Sequence, residues 1–249
     1  MSSRNTFADS PGRYAEARPL YPQALFDWIA ATCRGHDTAW DCATGNGQAA
    51  IALARIFHRV EATDISAAQV AQGFVAPNIR YSAGAAERPE FADHSFDLIA
   101  VAQALHWFDL DRFWPAVRQV ARPGALFCGW GYAWFRGSEA VSELLFEPVT
   151  QLVSPYWAPN NRILWDGYAD ADVRWPFVRL EVPDFRITVR WSVDQIIAYV
   201  RTWSAFKNAT AAGADTELEQ ILTHARHELG PEPRHELWVP LTILAGFVD

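Results

Sequence analysis

The stretch Asp41-Cys-Ala-Thr-Gly45-Asn-Gly47-Gln restricts the fold of this chain more than any other feature. Thr38 to Cys42 is short and mainly apolar, as a buried strand is, and it runs directly into the glycines. Glycine permits a sharp backbone turn and lets a ligand approach with no Cβ in the way. Gln48 to Phe57 follows and is apolar nearly all round, the pattern of a helix buried against a sheet. Nineteen residues after Gly45, just past a second candidate strand (Val60 to Ala62), stands Asp64. A carboxylate at that place can accept hydrogen bonds from both ribose hydroxyls of an adenosine-containing ligand.

The alternation extends to both sides. Pro22 to Cys33 reads as a helix, Ser66 as the N-cap of another, and Asp111 to Ala121 as a third that Arg122-Pro123-Gly124 stops. Asn78 to Tyr81, Phe96 to Val101 and Ala125 to Trp130 read as further strands. Strands and helices alternating in this way need right-handed crossovers, so the expected fold is a doubly wound α/β domain with a mostly parallel sheet. Ligands of such sheets sit beyond the carboxyl ends of the strands, at the switch point. After Tyr132 the pattern loosens. Gly137 to Leu180, rich in Trp, Tyr and Pro, reads as a helical cap insertion. Arg186 to Trp191 alternates like a strand, Val193 to Ala205 and Thr216 to Glu228 read as amphipathic helices, and Leu237 to Phe247 as a closing strand. Pro240 argues for an edge or a bulge in that last strand. The organisation expected is one domain over 1–249: an N-terminal lid and helix (1–35), a ligand-binding core (36–131), the cap (132–185) and C-terminal strands and helices (186–249).

Composition narrows the function. A net charge of −8 removes the electrostatic basis for holding a phosphate backbone, so nucleic acid is not an expected partner. The N-terminus has no apolar targeting segment, and no apolar run is long enough for a membrane span. Cys33, Cys42 and Cys128 lie far apart with no CxxC pair, which suits reduced thiols. A cytoplasmic location is therefore expected. His224, His227, Glu228 and His235 do not make a recognisable metal motif, and no metal is expected.

Two ligand classes stay open on these grounds. Gly45-Asn-Gly47-Gln-Ala-Ala50 also fits a dinucleotide turn with alanine in third place, which would make the chain a nicotinamide-dependent oxidoreductase. Against this, a helix and an aromatic segment precede the first strand. In addition, Asp41 is unhelpful beside a pyrophosphate yet tolerable beside a cation.

At this point the chain resembles the class I S-adenosylmethionine-dependent methyltransferases, in particular a small-molecule branch that includes trans-aconitate methyltransferase-like proteins. The likeness covers most of the chain. The family's D-x-G-x-G-x-G appears as Asp41-x-Ala43-x-Gly45-x-Gly47, with Ala43 in place of the first glycine. The resemblance gives the ribose acid as Asp64, followed by Ile65, and the adenine-side segment as Gly84-Ala-Ala86-Glu87. Gln103-Ala-Leu-His106-Trp107-Phe108-Asp109 is similar to the turn after the family's fourth strand. Tyr14-Ala-Glu-Ala-Arg18 looks like a segment that folds over the cofactor, and Tyr199-Val-Arg-Thr-Trp203 like the branch's C-terminal helix.

The resemblance implies methyl transfer from S-adenosylmethionine to a small molecule, with a carboxylate as the branch's kind of acceptor; a cofactor-binding protein without catalysis is the other reading. Methyl transfer needs acceptor, methyl and sulfur held in line in a dry site. Aromatic faces suit a sulfonium, so Trp107, Phe108, Trp134, Tyr168 and Trp203 are candidates for the acceptor side. His106 is the candidate base for a hydroxyl or amine acceptor, and Arg18 can pair with a carboxylate through its planar fork.

Overall fold

A computed structural model describes residues 18–231 and 234–249. The nine strands among them are β1 (Thr38–Cys42), β2 (Arg59–Asp64), β3 (Ile79–Ala83), β4 (Phe96–Ala102), β5 (Ala121–Gly131), β6 (Val178–Arg179), β7 (Arg186–Trp191), β8 (His235–Pro240) and β9 (Thr242–Phe247). Contacts divide the chain into a sheet unit (20–132, 162–185 and 240–249) and a helical unit (described parts of 1–19, 133–161 and 186–239). Of the expected cap at 132–185, the first part belongs to the helical unit and residues 162–185 to the sheet unit.

In the sheet unit the strand order is β3-β2-β1-β4-β5-β9-β6. Strands β1 to β5 pair in parallel, and β9 runs antiparallel to β5 and β6. This is the doubly wound, mostly parallel α/β sheet expected from the sequence. Side chains alternate between its faces, as strand geometry requires. Ala39, Leu98, Ala100, Leu126 and Cys128 pack beneath α1 (Gln23–Thr32) and α2 (Gln48–Leu53). Trp40, Ile99, Val101 and Phe127 pack on the other face beneath α4 (Leu110–Val120) and the Leu164, Tyr168 and Val173 side chains. Between these helices α3 (Ala67–Val70) begins at Ser66, whose hydroxyl caps it as expected by accepting the Gln69 N–H. Chain order reverses about β1, so the switch point lies between β1 and β4.

The opposite end of the sheet is fastened by Asp97. Its carboxylate accepts the Asp37 and Thr38 N–H groups at 2.9 and 3.0 Å and the Arg122 guanidinium at 2.7 Å. Burial alone would raise the Asp97 carboxyl, but the Thr38 N–H, Arg122 and the Asp37 N–H together hold it below its ordinary value. Cys33, Cys42 and Cys128 are free and buried, and burial pushes the Cys33 thiol up to about 12.

In the helical unit α7 (Asp215–Leu229) packs against both α5 (Glu147–Val153) and α6 (Val193–Val200), and Val149, Val153, Ile196, Val200, Leu218 and Leu222 on these helices are buried. Strands β7 and β8 form a separate two-stranded sheet.

Three expected elements are corrected. The closing strand is two strands that part after Pro240: β8 pairs with β7, and β9 enters the main sheet. Proline has no N–H to give a ladder, and Leu241 beyond it donates instead to the Phe185 carbonyl at 2.8 Å. The helix expected over Val193 to Ala205 ends at Val200 and restarts at Ser204, because the Thr202 hydroxyl donates to the Tyr199 carbonyl at 2.6 Å, the short-range competition that Ser and Thr offer a helix. The helix after the glycine turn ends at Leu53, not Phe57, and the chain turns to deliver Arg59 into β2. Among the described residues no helix is long and apolar enough to cross a membrane.

Candidate active site

Asp41 occupies β1 between Ala62 of β2 and Ala100 of β4, fully buried. Its Oδ2 accepts the Thr44 hydroxyl at 2.5 Å, while Oδ1 has no hydrogen-bond partner among the described residues. Burial raises its pKa to about 7; the Thr44 hydroxyl and the Ala50 N–H pull it down, and the Asp64 charge pushes it up. Downstream the backbone is left-handed at Ala43 (φ 57°), Gly45 (φ 58°) and Gly47 (φ 86°). Alanine in that region costs roughly 1–2 kcal/mol, so the turn keeps its shape at Ala43 against a local penalty. The Thr44 N–H holds the turn to the end of β2 through the Thr63 carbonyl at 2.8 Å.

The two glycines serve different ends. A Cβ on Gly47 would lie 2.0 Å from the Tyr81 hydroxyl, so this glycine lets the turn pack on β3. A Cβ on Gly45 would meet nothing within 4 Å among the described residues, and the same holds for Gly84 in the loop after β3. Both stand beside Asp64. The Asp64 carboxylate accepts the Gly45 N–H at 2.9 Å and the Ser66 N–H at 2.8 Å, and the Gly84 N–H donates to its carbonyl at 2.9 Å. Each carboxylate oxygen retains a lone pair for a further donor. Ile65 is 79% exposed, Ala86 is buried, and Glu87 accepts the Asp109 N–H at 3.0 Å. Bare glycine backbone, a carboxylate with acceptor capacity and a buried unsatisfied Asp41 oxygen together fit a ligand bearing a ribose and a cationic group.

Beyond β4, Gln103 is also left-handed (φ 58°); its N–H donates to the Trp130 carbonyl at 2.7 Å and its amide to the Tyr132 carbonyl at 3.1 Å. This turn delivers His106 onto a short 3₁₀ helix, 4% exposed, with Nδ1 3.3 Å from the Tyr168 hydroxyl. Burial lowers the imidazole pKa to about 4 and raises the phenol of Tyr168. His106 is therefore neutral near pH 7 and a weak proton acceptor. Beside it Trp107 is 38% exposed, whereas Phe108 packs on Phe113 with centroids 4.7 Å apart.

The fold thus gathers Asp41 at the end of β1 and Asp64 at the end of β2 about the turn of Ala43, Gly45 and Gly47, and brings Tyr168 onto His106 in the segment that follows β4 and Gln103. Trp134 and Trp203 belong to the helical unit and pack edge-on, 5.5 Å between centroids. Arg18 is in that unit too, its guanidinium 5.8 Å from the Tyr199 ring centre. Tyr14 lies outside the described residues. Sequence reasoning missed Thr44 and Tyr81. A hydroxyl three residues after a buried carboxylate was a usable signal for Thr44; nothing local marks Tyr81. Among the described residues no group of three or more metal-binding side chains occurs.

Comparison with known proteins agrees with this geometry. The family model described as Methyltransferase domain matches residues 40–129. A solved structure of a candidate type II methyltransferase from Anaeromyxobacter dehalogenans is 36% identical, covers 93% of this chain and 98% of its own, and superposes with a TM-score of 0.83. A candidate methyltransferase of Dictyostelium discoideum is 28% identical over 84% of this chain and 80% of its own length. A candidate methyltransferase structure from Bacillus halodurans, 17% identical with a TM-score of 0.55 over 91% of this chain and 98% of its own, shares the fold.

Proposed function

The chain belongs to the class I S-adenosylmethionine-dependent methyltransferases, and from that premise we propose that it methylates a small molecule whose accepting atom needs no proton removed, a carboxylate first among them. S-adenosylmethionine supplies a methyl group on a cationic sulfur, an activated group that needs orientation more than acid–base help. The oxidoreductase and non-catalytic readings fall away with the family.

In this reading the residues divide the work. Asp64, oriented by the Gly45 and Ser66 N–H groups, accepts the ribose hydroxyls. The open positions at Gly45 and Gly84 admit the ligand against bare backbone. Asp41 places carboxyl oxygen beneath the turn, where a cationic group finds its electrostatic partner. His106, held by the Tyr168 hydroxyl, orients the acceptor as a neutral hydrogen-bonding group, and Trp107 helps exclude water.

The observation that carries the acceptor class is the burial of His106, which holds the imidazole near 4. A base for a hydroxyl or amine works best with a pKa near the operating pH. A carboxylate is already ionised at pH 7 and asks for no such base. The test is an acceptor screen with isotope-labelled methyl donor against separated small-molecule, protein and nucleic-acid fractions. Label is expected in small carboxylates as methyl esters; label confined to a macromolecular fraction would overturn the reading.

A further inference from the structure

The helical unit holds a cleft of about 460 Å³, its described lining drawn from that unit alone. Its described lining is aromatic at Trp134, Phe135, Phe146 and Trp203. The rest is a polar stripe on α5, where Glu147, Thr150 and Gln151, three and four residues apart, share one helical face. Adjacent helical residues normally point apart, but the turn before α5, Ser142–Phe146, is a π-helix. Phe146 closes that turn, a kind of irregularity frequent at functional sites, and both it and the next residue, Glu147, line the cleft.

Among the described residues the lining of the cleft carries charge of one sign. Glu147 is the charged residue of its lining, and no Lys, Arg or His lines it among the described residues. The Glu147 carboxylate makes no ion pair or hydrogen bond with another described side chain, and the residue is exposed. A carboxylate sharing a cleft with aromatic rings complements a flat cation: the rings take its body and attract its charge, and the carboxylate takes its ammonium donors. The cleft is within the range of ligand sites for small organic molecules.

We propose that this cleft is a binding site for a flat organic cation, an aromatic amine whose rings lie against Trp134, Phe135 and Trp203 and whose ammonium meets Glu147. The inference concerns this unit alone and does not rest on the acceptor reading above. An anion of the same shape is repelled by the same carboxylate.

The test is an NMR titration of the full chain, following tryptophan indole N–H signals, with three probes of similar body: tryptamine, indole and indole-3-acetate. Tryptamine is expected to shift the Trp134 and Trp203 signals and to bind about tenfold or more tighter than indole-3-acetate. Glu147→Gln, a change at an exposed position, is expected to weaken tryptamine about fivefold and to leave indole unchanged. Indole-3-acetate binding as tightly as tryptamine, tryptamine binding unaltered by Glu147→Gln, or no shift with tryptamine at millimolar concentration would each overturn the proposal. Binding of S-adenosylhomocysteine, measured separately, reports on the methyltransferase site and not on this one.

Discussion

Asp41 and His106 are buried titratable groups of opposite sign, and their pH signatures run in opposite directions. Burial lifts Asp41 to about 7, so between pH 4 and pH 7 the ligand-free folded chain keeps a proton that the unfolded chain has lost. Its contribution to stability falls as pH rises through that window, by a few kcal/mol at most at about 1.4 kcal/mol per unit. Urea unfolding of wild type and Asp41→Asn at pH 4.5 and pH 7.5 is expected to show wild type losing ground to the variant as pH rises. A pH-independent difference would contradict this. His106, lowered to about 4, contributes stability present above about pH 6.5 and lost as pH falls toward 4. His106→Gln is expected to lower turnover by less than about 100-fold, and wild-type turnover should show no limb near pH 6–7. A larger loss with cofactor affinity intact would make His106 the base and return the acceptor to a hydroxyl or amine. Of these residues, Asp64 was legible because its spacing from Gly45 is local to one strand–helix–strand unit. The Tyr168 hydroxyl on His106 was not, since the pair is separated by 62 residues and meets only through the fold.

The elements that build the site were the readable ones. β1 and β4 announce themselves as apolar runs because both faces of a central parallel strand are covered. Where reading failed, a short-range polar group or a proline decided the outcome against periodicity: Thr202 interrupts a helix whose apolar spacing continues, and Pro240 hands one apolar run to two different sheets. The glycine turn itself depends on packing between elements. Gly47→Ala places a methyl against Tyr81 in a left-handed residue, and roughly 2–4 kcal/mol of stability is expected to be lost. Tyr81→Phe in the same background should recover part of it by removing the atom at 2.0 Å. Equal stability of Gly47→Ala and wild type in urea unfolding would show that the turn does not need that approach.

At the scale of the whole molecule, the division into a sheet unit and a helical unit was hidden in a sequence whose aromatic middle reads as one insertion. The two parts of that insertion carry the same Trp- and Tyr-rich composition, and only their long-range partners separate them. Tyr168 and Val173 join the sheet core, while Val149 and Val153 are buried on α5, which packs on α7. Catalysis in the proposed scheme uses organic groups alone, and turnover is expected to survive chelator treatment; activity lost to EDTA and restored by a divalent metal would contradict it. The most direct measurement is a calorimetric titration with S-adenosylhomocysteine of wild type and Asp64→Ala. Loss of the charged acceptor for the ribose is expected to weaken binding by roughly 1.5–3 kcal/mol, about tenfold to a hundredfold or slightly more. Unchanged affinity in Asp64→Ala would mean that the cofactor is not held at the end of β2 beside the glycine turn.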